Sequence, residues 1–227
     1  AGSGLSPWLH FGVISTHEIV KAVIEQDNAE WTTDFLKPNN GKNSGFFQLS
    51  ADTESFLDEV ITWREVGFHY AFHREDYEKF ESLPDWALET MQEHRGDERE
   101  YLYSYEQLEN AETHDSIWNA AQRQLKEEGV IHNYLRMLWG KKVIEWTPNY
   151  KVALEYLIEL NNVYAIDGRD PNSYSGIFWC FGRFDRAWTE RNVHGKLRYM
   201  ASKNTYKKVK MDNYLSKWNK GSKQLSF

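Results

Sequence analysis

The sequence predicts an all-α protein, and three observations support this fold class. Apolar residues recur at intervals of three and four along seven segments, which is the spacing of an amphipathic helix. Alternation with a period of two, which marks a half-buried strand, does not persist beyond a few residues. The 227 residues are 41% hydrophobic and 15% aromatic, enough for a large core. We therefore predict a single helical domain over residues 1–227.

The predicted helices follow one another along most of the chain. They span residues 17–27, 54–74, 84–95, 104–110, 115–127, 131–146 and 150–163. Residues 36–46 are rich in Asn and Gly and are predicted to form an exposed loop. Residues 165–176 and 200–210 are predicted to be irregular.

The first candidate site lies at residues 3–7, which read SGLSP. Ser suits a helix N-cap, Pro suits the first helical position, and Gly allows a close approach of backbone amides to a ligand. Such a helix start binds anions. The same letters also describe an ordinary capped helix, and both interpretations stay open.

The second candidate site lies in the predicted helix 54–74. Glu59 and Trp63 are four residues apart and therefore share a helix face, which combines a carboxylate with a flat aromatic wall. The alternative is a surface Glu beside a core Trp. Glu65, His69 and His73 also recur every four residues, but they lack an HExxH arrangement, and we predict no metal site.

The segment 113–146 carries three tryptophans. Trp139 and Trp146 are seven residues apart, so on a helix they share a face at a separation of roughly 10 Å. Trp118 belongs to the preceding predicted helix and can lie between them. This arrangement suits stepwise electron transfer, although indoles at this spacing also simply line a core.

Charge and cysteine content limit the remaining possibilities. Arg136 lies on a largely apolar helix and needs an anionic or polar partner, for which Asp167 is the candidate. Cys180 is the single cysteine, which excludes an internal disulfide and fits a core position in a reducing compartment. No apolar run reaches 18 residues, so we expect a soluble protein of the cytoplasm, or of the nucleus in a eukaryote.

The net charge of −7 argues against a generally basic surface, but the charge is unevenly distributed. Residues 186–220 contain only two acids, Glu190 and Asp212. The ten Lys and Arg residues of this segment are at positions 186, 191, 196, 198, 203, 207, 208, 210, 217 and 220. A local basic face of this kind can hold phosphates, or it can be a solvated lysine-rich surface.

Five motifs in the same order resemble the class II cyclobutane pyrimidine dimer photolyases of the photolyase/cryptochrome family. They are LSPWLHFGVIS at 5–15, FLDEVITWRE at 56–65, THDSIWNAAQ at 113–122, IHNYLRMLWGKKVIEW at 131–146 and DGRDPNSY at 167–174. The resemblance runs from about residue 4 to residue 199. It implies the helical FAD-binding domain of this family, without the α/β antenna domain that precedes it in family members.

The resemblance implies a set of FAD-binding residues. Ser3, Leu5 and Ser6 would surround the pyrophosphate. Arg136 and Asp167 would flank the flavin, and Asn161 would lie near its N5 atom. Asn133 would also contact the cofactor; class II members usually have Gly there, whereas class I members and cryptochromes have Asn, so the subgroup stays open.

The resemblance also implies residues for catalysis and DNA binding. Glu59 would hydrogen-bond a thymine dimer, Trp63 and Trp179 would pack on its bases, and Met137 would form the pocket floor. Arg186, Trp188 and Arg198 would fill the gap that the flipped-out lesion leaves in the duplex. Trp146, Trp118 and Trp139 would form the relay that photoreduces FAD, in that order from the flavin outwards.

The function implied is therefore the light-driven repair of pyrimidine dimers in DNA by a deoxyribodipyrimidine photolyase. A cryptochrome-like blue-light sensor would use the same FAD and relay without repair. A helical interaction module that has lost FAD is the third possibility. Glycine-rich nucleotide loops of the GxGxxG and GxxxxGK[ST] types do not occur in the sequence.

Overall fold

The computed structural model describes residues 2–42, 44–209 and 211–219 of the chain. Within these residues the regular elements are helices and there is no strand; an isolated antiparallel bridge joins Arg191 and Gly195. The predicted all-α fold class is confirmed. The described residues form two compact units: a smaller unit within residues 3–75 and a larger unit that consists of residue 2 and the described residues from 76 to 219. The single-domain assignment stays a prediction.

The described residues of the smaller unit form four α-helices and a π-helical segment. The helices are α1 (Ser6–His10), α2 (Thr16–Asp27), α3 (Ala51–Leu57) and α4 (Arg64–His73), with the π-helical segment Asp58–Trp63 between α3 and α4 and a 3-10 turn at Thr33–Phe35. The predicted helix 54–74 is therefore present, but its middle is wound more loosely than an α-helix. Such π segments occur frequently at functional sites.

The start and the end of α2 are fixed by side-chain hydrogen bonds. Ser15 and Glu18 form a capping box, in which each side chain accepts a hydrogen bond from the backbone N–H of the other residue. At the other end, Asp27 accepts hydrogen bonds from the backbone N–H of Ser50, at 3.0 Å, and from the Thr53 hydroxyl, at 3.0 Å. These bonds tie α2 to the start of α3.

Eight further α-helices lie in the described part of the larger unit. They are α5 (Asp85–Glu93), α6 (Tyr105–Glu109), α7 (Ser116–Glu128), α8 (Asn133–Trp146), α9 (Tyr150–Tyr164), α10 (Pro171–Cys180), α11 (Ser202–Lys208) and α12 (Asp212–Trp218), with a 3-10 turn at Phe80–Ser82. No helix in the described part of the chain has both the length and the apolar character needed to cross a membrane.

Helix α8 lies at the centre of the larger unit and packs against α7, α9 and α10. Nine of its fourteen residues are buried, so it is enclosed on most sides. Gly140 allows α10 to approach closely, because a Cβ atom there would lie 2.7 Å from Cys180 Sγ. The motif at 131–146 therefore forms the axis of this unit.

Two segments that were predicted to be irregular contain helices. Helix α10 begins at Pro171, because the Asp170 carboxylate accepts a hydrogen bond from Asn172 N at 2.9 Å and Pro occupies the first helical position. Helix α11 covers Ser202–Lys208 and has no apolar stripe in its sequence; it is held instead by a buried hydrogen bond from the Ser202 hydroxyl to Asp115. Both irregular assignments were wrong.

Candidate functional site

Trp118, Trp139 and Trp146 form a buried cluster in the larger unit, called here the core cluster. The rings of Trp118 and Trp139 are nearly parallel, at an interplanar angle of 6°, with centroids 6.4 Å apart. Trp118 meets Trp146 edge-on, with centroids 5.7 Å apart. The three side chains are 0%, 2% and 1% exposed, respectively. Trp118 therefore lies between the other two, in an arrangement that suits stepwise electron transfer.

Hydrogen bonds fix the orientation of two of these rings. Trp118 Nε1 donates to the carbonyl of Trp139 at 3.0 Å, and Trp139 Nε1 donates to Gln122 Oε1 at 2.8 Å. Gln122 is fully buried and lies one helical turn after Trp118, and it was not among the site residues predicted from the sequence. The sequence pattern that could have identified Gln122 is a polar residue at a core position of an amphipathic helix.

The start of α7 is set by a polar turn that belongs to the same motif. Asp115 accepts hydrogen bonds from the backbone N–H groups of Ile117 and Trp118, both at 3.0 Å. The Asn119 side chain closes the turn, because it accepts from the Thr113 hydroxyl at 2.7 Å and donates to the Thr113 carbonyl at 2.7 Å. The motif THDSIWNAAQ thus fixes the helix that presents Trp118.

At one end of the core cluster, Trp146 contacts a second aromatic group. Its ring lies 5.6 Å from Tyr103 and 5.1 Å from His114, measured between centroids. The Tyr103 hydroxyl and His114 Nδ1 are hydrogen-bonded at 2.7 Å, and His114 stacks on Tyr101, which is 38% exposed. Partial burial lowers the pKa of His114, which favours the neutral form of the ring.

At the other end, Trp139 lines a crevice of about 20 Å³ together with Asn133, Arg136 and Met137. The crevice is too small to enclose an organic ligand, so these side chains form a contact surface within this unit. The remaining lining residues, contributed by α8, α9 and α10, are Gly140, Leu157, Gly176, Ile177 and Cys180.

The expected pairing of Arg136 with Asp167 is present. The guanidinium donates two hydrogen bonds to the carboxylate, at 3.1 and 3.4 Å, and both side chains are partly buried. Asn161 is 2% exposed, and its amide donates to Asn162 Oδ1 at 3.4 Å. Guanidinium, carboxylate and amide groups can hydrogen-bond the edge of a planar heterocycle that carries carbonyl and N–H groups.

Cys180 has the core position that was predicted for it. Burial raises the pKa of its thiol to about 11, so the thiol is protonated at neutral pH. Beside it, the fully buried Lys141 donates from Nζ to the Cys180 carbonyl at 2.5 Å and so caps the end of α10. Burial lowers the pKa of Lys141 to about 8.

Arg186, Trp188 and Arg198 form a second cluster, called here the surface cluster. Both guanidinium carbons lie 5.0 Å from the centroid of the Trp188 ring, within the range of a cation–π interaction. Trp188 is 38% exposed, and its Nε1 donates to Asp185 Oδ1 at 3.1 Å. The three residues predicted to bind DNA are therefore together, and Asp185 accepts a hydrogen bond from Trp188.

Trp179 and Met137, which were predicted to contact the lesion, are half-buried and lie outside the surface cluster. Trp179 is half-buried near the end of α10 and meets Phe184 edge-on at 6.4 Å. Met137 is also half-buried, with its sulfur 4.0 Å from Cys180 Sγ. Two basic residues of the segment 186–220, Lys210 and Lys220, lie outside the described residues.

In the smaller unit, Glu59 and Trp63 both belong to the π-helical segment. Glu59 is accessible to solvent, yet desolvation by the surrounding protein raises the pKa of its carboxyl, and the charge of Asp58 raises it further. Trp63 is half-buried, and its Nε1 donates to Asp58 Oδ2 at 3.1 Å. Asp58 was not singled out from the sequence, because α-helical spacing does not bring residues 58 and 63 together.

The start of α1 differs from the expected cap. Leu5 occupies the N-cap position, Ser6 is the first helical residue and Pro7 follows it, so no serine side chain caps the helix. Ser3 Oγ accepts a weak bond from Leu5 N at 3.4 Å. The helix has five residues, because Gly12 follows in a left-handed conformation with φ of 66°. The predicted Ser N-cap was wrong.

Comparison with curated proteins identifies relatives over nearly the whole chain. A deoxyribodipyrimidine photolyase of Methanothermobacter thermautotrophicus is 38% identical over 215 residues, which is 95% of this chain and 43% of the relative. The enzyme of that name from Oryza sativa is 38% identical over 94% of the chain, and the one from Potorous tridactylus is 40% identical over 87%. The chain is a homologue of the deoxyribodipyrimidine photolyases.

This photolyase homologue spans less than half the length of the curated relatives it matches, at 43%, 39% and 34% of their respective lengths. No family model matches the chain. The homology confirms the resemblance drawn from the five motifs and agrees with the all-α fold. The relatives' names support the general class of DNA photolyase, whereas the class II subgroup and the role of each residue stay predictions.

Proposed function

We propose that this photolyase homologue repairs cyclobutane pyrimidine dimers in DNA with light, as a class II photolyase. The observation that carries the proposal is the core cluster: three indoles in successive contact, in a chain that is homologous to photolyases over 95% of its length. A hydrophobic core needs apolar volume, but it does not need three indoles in series.

FAD is the cofactor we propose, and the donor set of the larger unit fits it. The pyrimidine edge of a flavin has carbonyl acceptors and an N–H donor, which match the guanidinium of Arg136, the carboxylate of Asp167 and the amides of Asn133 and Asn161. We propose Ser3, Leu5 and Ser6 for the pyrophosphate on the basis of the resemblance. Bound FAD would supply light-driven electron donation to the lesion.

The contacts of the core cluster support a direction for the relay opposite to the one that the resemblance implied. Trp139 lines the same crevice as Arg136 and Asn133, whereas Trp146 packs against Tyr103 and His114 near the exposed Tyr101. We therefore propose Trp139 as the member next to the flavin and Trp146 as the outermost one, with Trp118 in the middle.

For the lesion, we propose the roles that the resemblance implies. Glu59 would hydrogen-bond the dimer, Trp63 and Trp179 would pack on its bases, and Met137 would line the floor. Desolvation and the charge of Asp58 raise the pKa of Glu59, so its carboxyl holds a proton more firmly than a free Glu does. Arg186, Trp188 and Arg198 would contact the DNA around the flipped-out dimer.

The test of this function is a repair assay with the 227-residue chain, reconstituted with FAD and reduced under anaerobic conditions. An oligonucleotide that carries one thymine dimer is illuminated with blue light, and the restored thymines are quantified by chromatography against a dark control. The proposal predicts repair that requires both light and FAD. Dimers that stay intact although FAD is bound and reduced would contradict it.

A cryptochrome-like light sensor is the second candidate, and Asn133 is the residue that favours it. Asn133 lines the crevice beside Arg136, at a position where the resemblance gives Asn to class I members and cryptochromes. A sensor would bind FAD and photoreduce it without preference for damaged DNA. Tighter binding of dimer-containing DNA than of undamaged DNA would exclude a pure sensor, and retention of FAD would exclude a module that has lost its cofactor.

A further inference from the structure

The π-helical segment of the smaller unit brings together two residues that an α-helix would separate. Asp58 opens the segment and Trp63 closes it, five positions later. On an α-helix, residues five apart point about 140° away from each other around the axis. A π-helix has i→i+5 geometry, so here the two side chains meet, and Trp63 Nε1 donates to Asp58 Oδ2 at 3.1 Å.

This hydrogen bond restrains an aromatic ring that is otherwise only half enclosed. Trp63 is half-buried, so packing alone leaves part of its surface in contact with solvent. The bond runs to a carboxylate, and such charge-assisted bonds are roughly twice as strong as neutral ones. The N–H is the only hydrogen-bonding group of the indole, so a hydrogen bond at this atom restrains the orientation of the whole rigid ring.

Glu59 is the immediate neighbour of Asp58, and the same acidic residue therefore acts on both members of the Glu59–Trp63 pair. The Asp58 charge adds to desolvation in raising the pKa of Glu59. The hydrogen bond and the charge can be separated by substitution, because Asn retains an acceptor oxygen and lacks the negative charge.

We propose that Asp58 is a positioning residue, which fixes the Trp63 indole through the N–H···carboxylate hydrogen bond so that its face is presented to the pyrimidine dimer. The presentation of Trp63 to the dimer rests on the proposed function. The hydrogen bond between Asp58 and Trp63 does not depend on that function, so the hydrogen bond and the lesion contact can be tested separately.

The first arm of the test measures affinity for dimer-containing DNA by fluorescence anisotropy, with undamaged DNA as reference. A Trp63→Ala variant is expected to lose about tenfold, because stacking of an aromatic ring on a base contributes about 1–3 kcal/mol. Asp58→Ala is expected to lose several-fold, and Asp58→Asn, which keeps the acceptor oxygen but forms a weaker neutral hydrogen bond, is expected to lose less than Asp58→Ala.

A double-mutant cycle separates positioning from a direct contact. If Asp58 acts through the ring, the Asp58→Ala/Trp63→Ala variant binds no more weakly than Trp63→Ala alone. Trp63→Phe keeps an aromatic face but lacks the N–H donor, and it is expected to match Asp58→Ala; this variant also serves if Asp58→Ala does not fold. Additive losses in the cycle, or a Trp63→Phe variant that binds like the unchanged chain, would overturn the proposal.

The second arm observes the Trp63 indole N–H directly in ¹H–¹⁵N spectra, with the resonance assigned from its disappearance in Trp63→Phe. Faster hydrogen exchange in Asp58→Ala, with protection retained in Asp58→Asn, is the expected result. Equal protection of the Trp63 indole N–H from exchange in the unchanged chain, Asp58→Ala and Asp58→Asn would overturn the proposal. If Trp63→Ala does not weaken lesion binding, the proposed lesion role of Trp63 fails, and the exchange rates still decide whether Asp58 holds the ring.

Discussion

The core cluster and the surface cluster place the same side chain in opposite surroundings. In the core cluster the indole N–H groups of Trp118 and Trp139 are satisfied by a carbonyl and by the buried Gln122. In the surface cluster the Trp188 N–H is satisfied by Asp185, and its ring carries two guanidinium groups at 5.0 Å. We therefore expect changes in the core cluster to cost stability and, under the proposed function, changes in the surface cluster to cost DNA binding.

The largest expected effect is that of Trp118→Ala on stability. Trp118 is fully buried, so its removal leaves a cavity, and we expect the free energy of unfolding to fall by about 3–5 kcal/mol. Urea unfolding followed by circular dichroism measures this change. Trp188→Ala is the matched control and should change the same quantity by less than about 1 kcal/mol. Equal losses in the two variants would break the comparison.

The reverse effect is expected for DNA binding. Trp188→Ala should weaken binding of dimer-containing DNA by about tenfold, since an exposed indole is available to stack on bases or to fill a gap in the duplex. Phe72→Ala removes another exposed aromatic ring, 84% accessible in the smaller unit, and serves as control. Anisotropy titrations with both variants measure the effect. Similar affinities for the two would remove Trp188 from the DNA-binding surface.

The smallest expected effect concerns the anchor of the segment that carries Trp188. His94 bonds Asp97 at 2.6 Å and Glu190 at 3.0 Å, and the pKa of His94 is raised chiefly by the bond to Asp97. A raised pKa means that the folded state binds the proton more tightly, so this contribution is complete below the unfolded pKa, about 6.5, and is lost as pH rises through the folded value.

The corresponding variant is His94→Gln. Its deficit in unfolding free energy, relative to the unchanged chain, should be about 1 kcal/mol or less near pH 5.5 and should shrink by pH 9. The same titration of Trp118→Ala should show a deficit that is nearly independent of pH, because the indole N–H of Trp118 donates to the backbone carbonyl of Trp139, which does not titrate. A His94→Gln deficit that grows with pH would contradict the assigned sign.

The sequence predicted those parts of the fold that depend on local periodicity. Helix α8 was predicted at 131–146 and is observed at Asn133–Trp146. Helix α10 was missed although Asp170 and Pro171 form a helix start, because the DGRDPNSY motif was interpreted as a loop throughout. Helix α11 has no apolar stripe, so it depends on tertiary contacts that periodicity does not report.

In the candidate site, too, some contacts could be predicted from the sequence and others could not. The pairing of Arg136 with Asp167 followed from the need of a partly buried charge for a partner, and the position of Trp118 followed from the span between Trp139 and Trp146. Gln122 and Asp58 were missed because their roles arise from helix packing and from π-helical winding. Neither helix packing nor π-helical winding can be derived from apolar residues that recur at intervals of three and four.

The most direct test of the core cluster as an electron relay is photoreduction of bound FAD. The purified chain with FAD is illuminated anaerobically with blue light and a thiol reductant, and the visible absorption band is followed over time. Trp118→Phe should bind FAD but bleach much more slowly than the unchanged chain, whereas Trp218→Phe, which changes a buried indole outside the cluster, should bleach at the normal rate. Equal bleaching of all three chains would contradict the relay.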